Sequence, residues 1–285
     1  MNIASNKVQI KTNENGMQFF HIATDDSTCI FTNYGAHIIS FAVNGNELLW
    51  VSEKSFYQQG KAIRGGIPVC WPYFGAAEIA GEPAHGYARL NEWEVQEITD
   101  IADGRVKAKL TLNGSKLPDY CKNLAAELEI IIGKTLQVSL TTFNGGNDDF
   151  KLSQALHSYF NVSNISNIEI KGLEDTKYFD SLTNQTLRQQ GAITFNSEVD
   201  RVYLDTEAPC TLVDKNKSYQ LQIAKSGSAS TVVWNPWIDK ARRMADFGDD
   251  EYLNMVCIET VNAKTDSRIL KANTSHTLKL EFIVL

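Results

Sequence analysis

The chain has 285 residues, which suits one large all-β domain or two ordinary ones, and its 43% hydrophobic content is enough for a sizeable core. A formal net charge of −7 argues against a nucleic-acid-binding surface, although a local arginine cluster can still dominate a small pocket. The five cysteines, Cys29, Cys70, Cys121, Cys210 and Cys257, are scattered and form no CxxC pair, which predicts reduced thiols in a cytoplasmic protein rather than a disulfide framework or a zinc site.

Met1 to Lys7 hold no apolar stretch fit for a signal peptide, and no run approaches the ~20 apolar residues of a membrane span. Neither a membrane nor a nucleic acid is an expected partner. Beyond this start the dominant period is two. Val106, Ala108, Leu110 and Leu112 alternate with Lys107, Lys109 and Thr111. Leu124, Ala126, Leu128, Ile130 and Ile132 share one parity. Leu136, Val138 and Leu140 alternate with Gln137, Ser139 and Thr141. Tyr219, Leu221 and Ile223 alternate with Gln220 and Gln222, and Leu278, Leu280, Phe282 and Val284 with Lys279 and Glu281. Successive side chains of a strand point to opposite faces, so each run predicts a half-buried antiparallel strand.

Turn signals separate these runs: Asn44-Gly45-Asn46, Asp103-Gly104, Asn113-Gly114, Ile132-Gly133-Lys134 and Asn144-Gly145-Gly146-Asn147. Helical periodicity is scarce, and Asp239 to Ala245 predicts one short helix that ends before Gly248. Many short strands joined by tight turns imply a sandwich of large antiparallel sheets. With no linker, low-complexity tract or repeat, the expected organisation is a single all-β domain over residues 1–285. A monomer is the default.

Four segments carry candidate chemistry. In Ile63 to Gly75, Gly65 and Gly66 let a ligand approach the backbone, Arg64 offers a planar fork to phosphate or carboxylate, and Trp71, Tyr73 and Phe74 offer flat faces of the kind sugars stack on. A buried aromatic loop with Gly-Gly at a turn explains the same residues. In Pro83 to Arg89, His85 and Arg89 flank a glycine and can converge on one anion or hydroxyl cluster, although an ordinary surface loop remains open. In Leu156 to Asn161, strand geometry sets His157 on a face with Ser153, Ala155 and Tyr159, offered to solvent, while Leu156 and Phe160 point into the core. In Met255 to Asn262, Glu259 is an acid inside an apolar strand, sharing a face with Cys257 and Val261. Partial burial would raise its pKa and improve it as a proton acceptor. Alternatively an internal arginine, Arg242 or Arg243, satisfies it. Asp200, in Val199 to Tyr203, is a weaker candidate.

Together these strings resemble the aldose 1-epimerase (galactose mutarotase-like) superfamily, and more narrowly its hexose-6-phosphate mutarotase branch. IRGGIPVCWPYFG, AHGYARLNEWEV, LSQALHSYFNV, VDRVY, VVWNPW and DFGDDEYLNMVCIETVNA carry the likeness, in this order, from about residue 63 to 263. HSYFN is shared across the superfamily, whereas the RGG and HGYAR strings point to the phosphosugar branch. At Trp71-Pro72-Tyr73 the likeness leads one to expect a second tryptophan where Tyr73 stands. The resemblance implies a galactose mutarotase-like β-sandwich with the sugar on a concave sheet face. It further implies His157 as general acid, Glu259 as general base, and Arg64, His85, Arg89 and Asp200 lining the substrate.

Mutarotation needs two opposed proton transfers. A base takes the anomeric hydroxyl proton while an acid protonates the ring oxygen; the C1–O5 bond breaks, the aldehyde turns about C1–C2, and closure reverses the roles. A nearby carboxylate, such as Asp200, is expected to keep His157 protonated near neutrality. No metal, nucleotide or other cofactor is required. Substrate phosphate would be gripped by Arg64 and Arg89, away from the bond changes. The competing readings are a neutral-sugar aldose 1-epimerase and a non-catalytic sugar-phosphate-binding protein on the same fold. Glycoside hydrolysis would want two carboxylates rather than imidazole plus carboxylate.

Overall fold

The computed structural model describes residues 1–285 apart from the side chain of Lys116. A nine-stranded sheet runs in the order Asn2–Ile3, Glu94–Asp100, Val106–Asn113, Leu124–Ile132, Leu136–Asn144, Ser275–Val284, Gln220–Ser226, Cys210–Asp214, Ile168–Lys171. Its centre is built from the alternating runs. Register sets Leu110, Leu128, Leu140 and Leu278 in one cross-strand row, and all four are fully buried. Their neighbours in sequence face water, where Lys109 pairs with Glu127 at 3.2 Å. Fully burying one such leucine stabilises by roughly 1.5–3 kcal/mol. Truncating Leu128 to alanine would cost about 2–5 kcal/mol, because the cavity left behind adds to the lost transfer energy.

An eight-stranded sheet packs on that core. Its order is Gln185–Arg188, Lys177–Asp180, Val199–Tyr203, Ser230–Asn235, Met255–Asn262, Gln154–Leu156, Val69–Cys70, with Tyr159–Asn161 also pairing to Met255–Asn262. Leu156, Phe160, Val233, Val256 and Ile258 join Leu128 and Leu140 in one apolar cluster. The Phe160 and Phe282 rings meet edge-on at 4.9 Å. On the opposite face Val202, Val232, Trp234, Cys257 and Val261 form a second cluster. Both faces are thus covered, and every residue of Ser230–Asn235 and Met255–Asn262 is buried.

A five-stranded sheet, Val8–Thr12, Gln18–Ala23, Ser27–Thr32, His37–Val43 and Asn46–Glu47, completes the sandwich. Its last hairpin turns at Asn44-Gly45, where φ is 50° and 78°, the left-handed pair that a two-residue hairpin requires. Phe150–Leu152 and Arg268–Leu270 form a separate two-stranded ribbon. The predicted all-β sandwich with few short helices is therefore what the chain forms.

Two local expectations are corrected. The helix spans Trp237–Arg243 rather than Asp239 to Ala245. Asn235 Oδ1 accepts from the Trp237 amide at 2.9 Å and starts it early, and the backbone turns extended at Met244. Gly65 and Gly66 do not open the backbone to a ligand. A Cβ on Gly65 would meet Trp50 O at 2.4 Å, and one on Gly66 would meet Ile38 O at 2.2 Å. Both have positive φ, so these glycines let two protein segments touch.

Candidate active site

The outer face of the eight-stranded sheet floors a cavity of about 1000 Å³. His157 and Glu259 meet on this floor. Leu156 pairs with Thr260 and Tyr159 with Cys257, so His157 falls directly across from Glu259. The strand breaks at His157 and Ser158, where His157 N donates to Pro68 O and Ser158 O accepts from Ile258 N. His157 Nε2 lies 3.3 Å from Glu259 Oε1.

Burial dominates the electrostatics. His157 is 9% exposed and Glu259 2%. The imidazole was expected to face solvent; it faces the cavity instead, stacked on Tyr159 with ring centroids 4.8 Å apart. Desolvation, reinforced by Asp200, pushes Glu259 well above the usual carboxylate range. Desolvation, reinforced by His85, Arg64 and Arg89, holds His157 well below its ordinary value. Burial thus disfavours the charged form of each partner, the imidazolium and the carboxylate alike. This reverses the expectation of a histidine kept protonated by a nearby carboxylate: removing charge from water costs more here than the carboxylates return. His157 Nδ1 and Glu259 Oε2 are buried with no protein partner, so both remain available to ligand hydroxyls.

Of the residues expected to line the substrate, Arg64, His85 and Asp200 do line the cavity. His85 sits edge-on to His157 at 5.8 Å, and burial, then Arg89 and Arg64, lower its pKa to about 3. It is a neutral hydrogen-bonding group. Asp200 pairs with Lys240 at 3.5 Å. Arg64 is committed elsewhere: Nη2 lies 3.1 Å from Asp246 Oδ2, and Nη1 donates to the Tyr159 hydroxyl at 3.1 Å. Arg89 lies outside the lining, behind His85, and its Nη2 donates to Ala84 O at 2.8 Å. The expected convergence of His85 and Arg89 on one ligand is thus met by His85 alone.

Other sequence expectations change as well. Trp71 is fully buried and donates Nε1 to Thr142 Oγ1, so it offers no face to a sugar, whereas Tyr73 and Phe74 line the cavity. Arg242 and Arg243 are exposed and do not satisfy Glu259. Trp234 also lines the cavity, a role that sequence reasoning misses. Its signal was its parity with Val232 in a strand next to that of Glu259. The Asp246 to Asp250 loop is fastened. Phe247 is fully buried, 5.1 Å from the Trp50 ring, and Glu251 accepts from Ser52 Oγ, Glu53 N and Gly248 N.

A metal ion would use His157, Cys257 and Glu259, whose ligand atoms lie within 4.8 Å of one another. Burial drives the Cys257 thiol well above its ordinary pKa, which opposes the thiolate such a site needs. A buried imidazole–carboxyl pair with two unpartnered polar atoms, on the floor of the cavity, suits paired proton transfer.

Comparison with known proteins agrees. The chain belongs to the aldose 1-epimerase family, whose sequence model matches residues 18–282. It is accordingly an isomerase acting on carbohydrates, a mutarotase by class. "Putative glucose-6-phosphate 1-epimerase" of Cenchrus ciliaris is 36% identical over 239 residues, which cover 79% of this chain and 72% of that protein. The protein of the same name from Escherichia coli (strain K12) is 32% identical over 250 residues, covering 86% of this chain and 83% of its own. The crystal structure of "a putative mutarotase (YeaD) from Salmonella typhimurium" superimposes with a TM-score of 0.89 at 27% identity, covering 100% of this chain and 95% of that one. Among the described residues, no helix is long and apolar enough to cross a membrane.

Proposed function

We propose that this protein interconverts the α and β anomers of glucose 6-phosphate, with Glu259 as general base and His157 as general acid. The single observation that carries the reading is the 3.3 Å contact between these two side chains at the base of the cavity. Substrate hydroxyls compensate the buried charges, and the shared proton crosses from Glu259 to His157. The carboxylate then takes the proton of the anomeric hydroxyl. The imidazolium protonates O5 as the C1–O5 bond breaks and C1=O forms. The open-chain complex is left with Glu259 protonated and His157 neutral, which is the arrangement that burial already favours. Ring opening therefore returns the pair to the charge state from which it began, and the charged pair is formed only in between. Arg64, His85 and Asp200 contact the sugar, and Arg89 tunes His85 from behind. The names of the relatives support the 6-phosphate.

A second reading, mutarotation of a neutral aldose, is favoured by one observation: the Arg64 fork already holds Asp246. Exchange NMR on equilibrated glucose 6-phosphate and on glucose separates the two. Anomer exchange of the phosphosugar well above its spontaneous rate, with higher kcat/KM than for glucose, is the expected result. Faster exchange of glucose would transfer the assignment to the neutral sugar, and no gain on either would remove both.

A further inference from the structure

We propose that Asp246 is a positioning residue for the general acid, holding the imidazole of His157 in place through Arg64 and Tyr159, an inference that rests on the mutarotase reading above. Asp246 does not line the cavity, so it does not touch a sugar lying in it. Its carboxylate nevertheless controls the ring on which His157 stacks.

The need for positioning arises in the imidazole itself. A histidine ring is ordinarily oriented by the hydrogen bond of the nitrogen that does no chemistry. Here Nδ1 is buried with no partner among the described residues, and Nε2 faces the Glu259 carboxyl at 3.3 Å. The strand is interrupted at His157, between Gln154–Leu156 and Tyr159–Asn161, so a regular ladder does not fix the side chain either. Of the aromatic rings around the imidazole, Tyr159 lies closest, 10° from parallel with centroids 4.8 Å apart. Such a stack restrains the imidazole only as far as the phenol ring is itself restrained.

The phenol is restrained from one short segment by two routes. Arg64 Nη1 donates to the Tyr159 hydroxyl at 3.1 Å. Asp246 sets the rest of the fork: Arg64 Nε donates to Oδ2 at 3.2 Å and Nη2 to Oδ1 at 3.3 Å. Two parallel bonds fix the plane of a guanidinium, which a single charge contact does not. The second route is apolar. Phe247, next in sequence, meets the Trp50 ring at 5.1 Å, and Trp50 stacks on Tyr159 at 5.8 Å. Glu251 seats the segment beside Trp50, since it accepts from Gly248 N, Ser52 Oγ and Glu53 N. Asp246 is thus delivered to Arg64 by a backbone with little freedom to move.

The test uses the full chain, Asp246→Asn, Tyr159→Phe and the double variant, with anomer exchange on glucose 6-phosphate followed by NMR. Asparagine offers one acceptor oxygen where the carboxylate offers two, so the fork is freed to turn. Asp246→Asn is expected to lower kcat by roughly 10–100-fold, the scale of a small misplacement of a reacting group, with KM within about threefold. Tyr159→Phe should lower kcat too, and the double variant should be no slower than the slower single, because both substitutions break one chain of contacts. The His157 Cε1–H proton signal of the free protein, shifted by the stacked phenol, should move in Asp246→Asn. Lost stability alone would change neither the kcat of the folded fraction nor this signal. Losses that multiply in the double variant, or an unmoved His157 signal, overturn the proposal. So does an undiminished kcat in Tyr159→Phe, which keeps the Arg64–Asp246 pair and decides the matter even if Asp246→Asn does not fold. If the parent speeds no anomer exchange, the mutarotase reading fails, and the His157 signal alone then decides whether Asp246 holds the imidazole.

Discussion

Arg64 and Asp246 meet across 182 residues of sequence, and the guanidinium that bridges them also steadies the Tyr159 hydroxyl. Tyr159 in turn stacks on His157. Arg64 therefore acts on the imidazole through Tyr159 as well as lining the cavity. Its charge is balanced by Asp246 before any substrate arrives. Arg64→Met leaves the carboxylate and the phenol without their shared donor, and the two ion-pair side chains are only 24% and 18% exposed. We expect a loss of about 1–3 kcal/mol in urea unfolding. KM should rise by similar factors for glucose and glucose 6-phosphate. A KM effect confined to the phosphosugar would return the phosphate to Arg64.

Glu259→Gln keeps the shape of the side chain and removes its capacity to exchange a proton. Because burial favours the uncharged form of the native carboxyl, the amide should be tolerated by the fold. We expect kcat to fall by roughly 10²–10⁴, with KM and the near-ultraviolet circular dichroism little changed. A variant that retains more than a tenth of the parent kcat in exchange NMR would exclude Glu259 as the base.

The shared proton also fixes the pH dependence. His157 is lowered and Glu259 raised, so the pair holds one proton between these two limits. Below the lower limit the pair takes a second proton and Glu259 cannot accept the anomeric one. Above the upper limit the pair has lost its proton and nothing remains to give to O5. The kcat/KM profile, which reports the free enzyme, should therefore fall at both ends, with its acid limb below the ordinary histidine value and its alkaline limb above the ordinary carboxylate value. An acid limb centred near 6.5, the ordinary value of a histidine, would show an imidazole not desolvated as described here.

The sequence made the scaffold legible where one face meets water. Leu124 to Ile132 puts an apolar residue at every second position, and the strand has those bounds with its burial alternating throughout. It hid the site for the complementary reason. Met255–Asn262 and Ser230–Asn235 are covered on both faces, so period two vanishes and Trp234 reads as one more apolar residue. Glu259 stood out because a carboxyl is foreign to such a run. Its partnership with His157 depended on a register that only the folded sheet supplies. The proton's position was illegible too, since it is set by burial in three dimensions. The arginines misled for a similar cause: a fork such as Arg64 is visible in the chain, and the Asp246 that occupies it lies far away in sequence.

His37 gives a stability test independent of catalysis. It is 1% exposed, its Nε2 contacts Gly65 O at 2.7 Å, and burial lowers its pKa to about 4. Above pH 6.5 neither the folded nor the unfolded chain protonates this group, so it adds no pH dependence. Between 6.5 and 4 the unfolded chain binds a proton that the folded chain refuses. Stability therefore drops as pH falls through this window, by roughly 3 kcal/mol in all from this one side chain. His37→Gln cannot titrate. Its unfolding free energy, measured in urea from pH 7 to pH 4.5, should fall less steeply than the parent's by about 1.4 kcal/mol per pH unit below 6. Parallel slopes would mean that His37 is protonated in the folded protein, in which case Nε2 donates to Gly65 as part of an imidazolium.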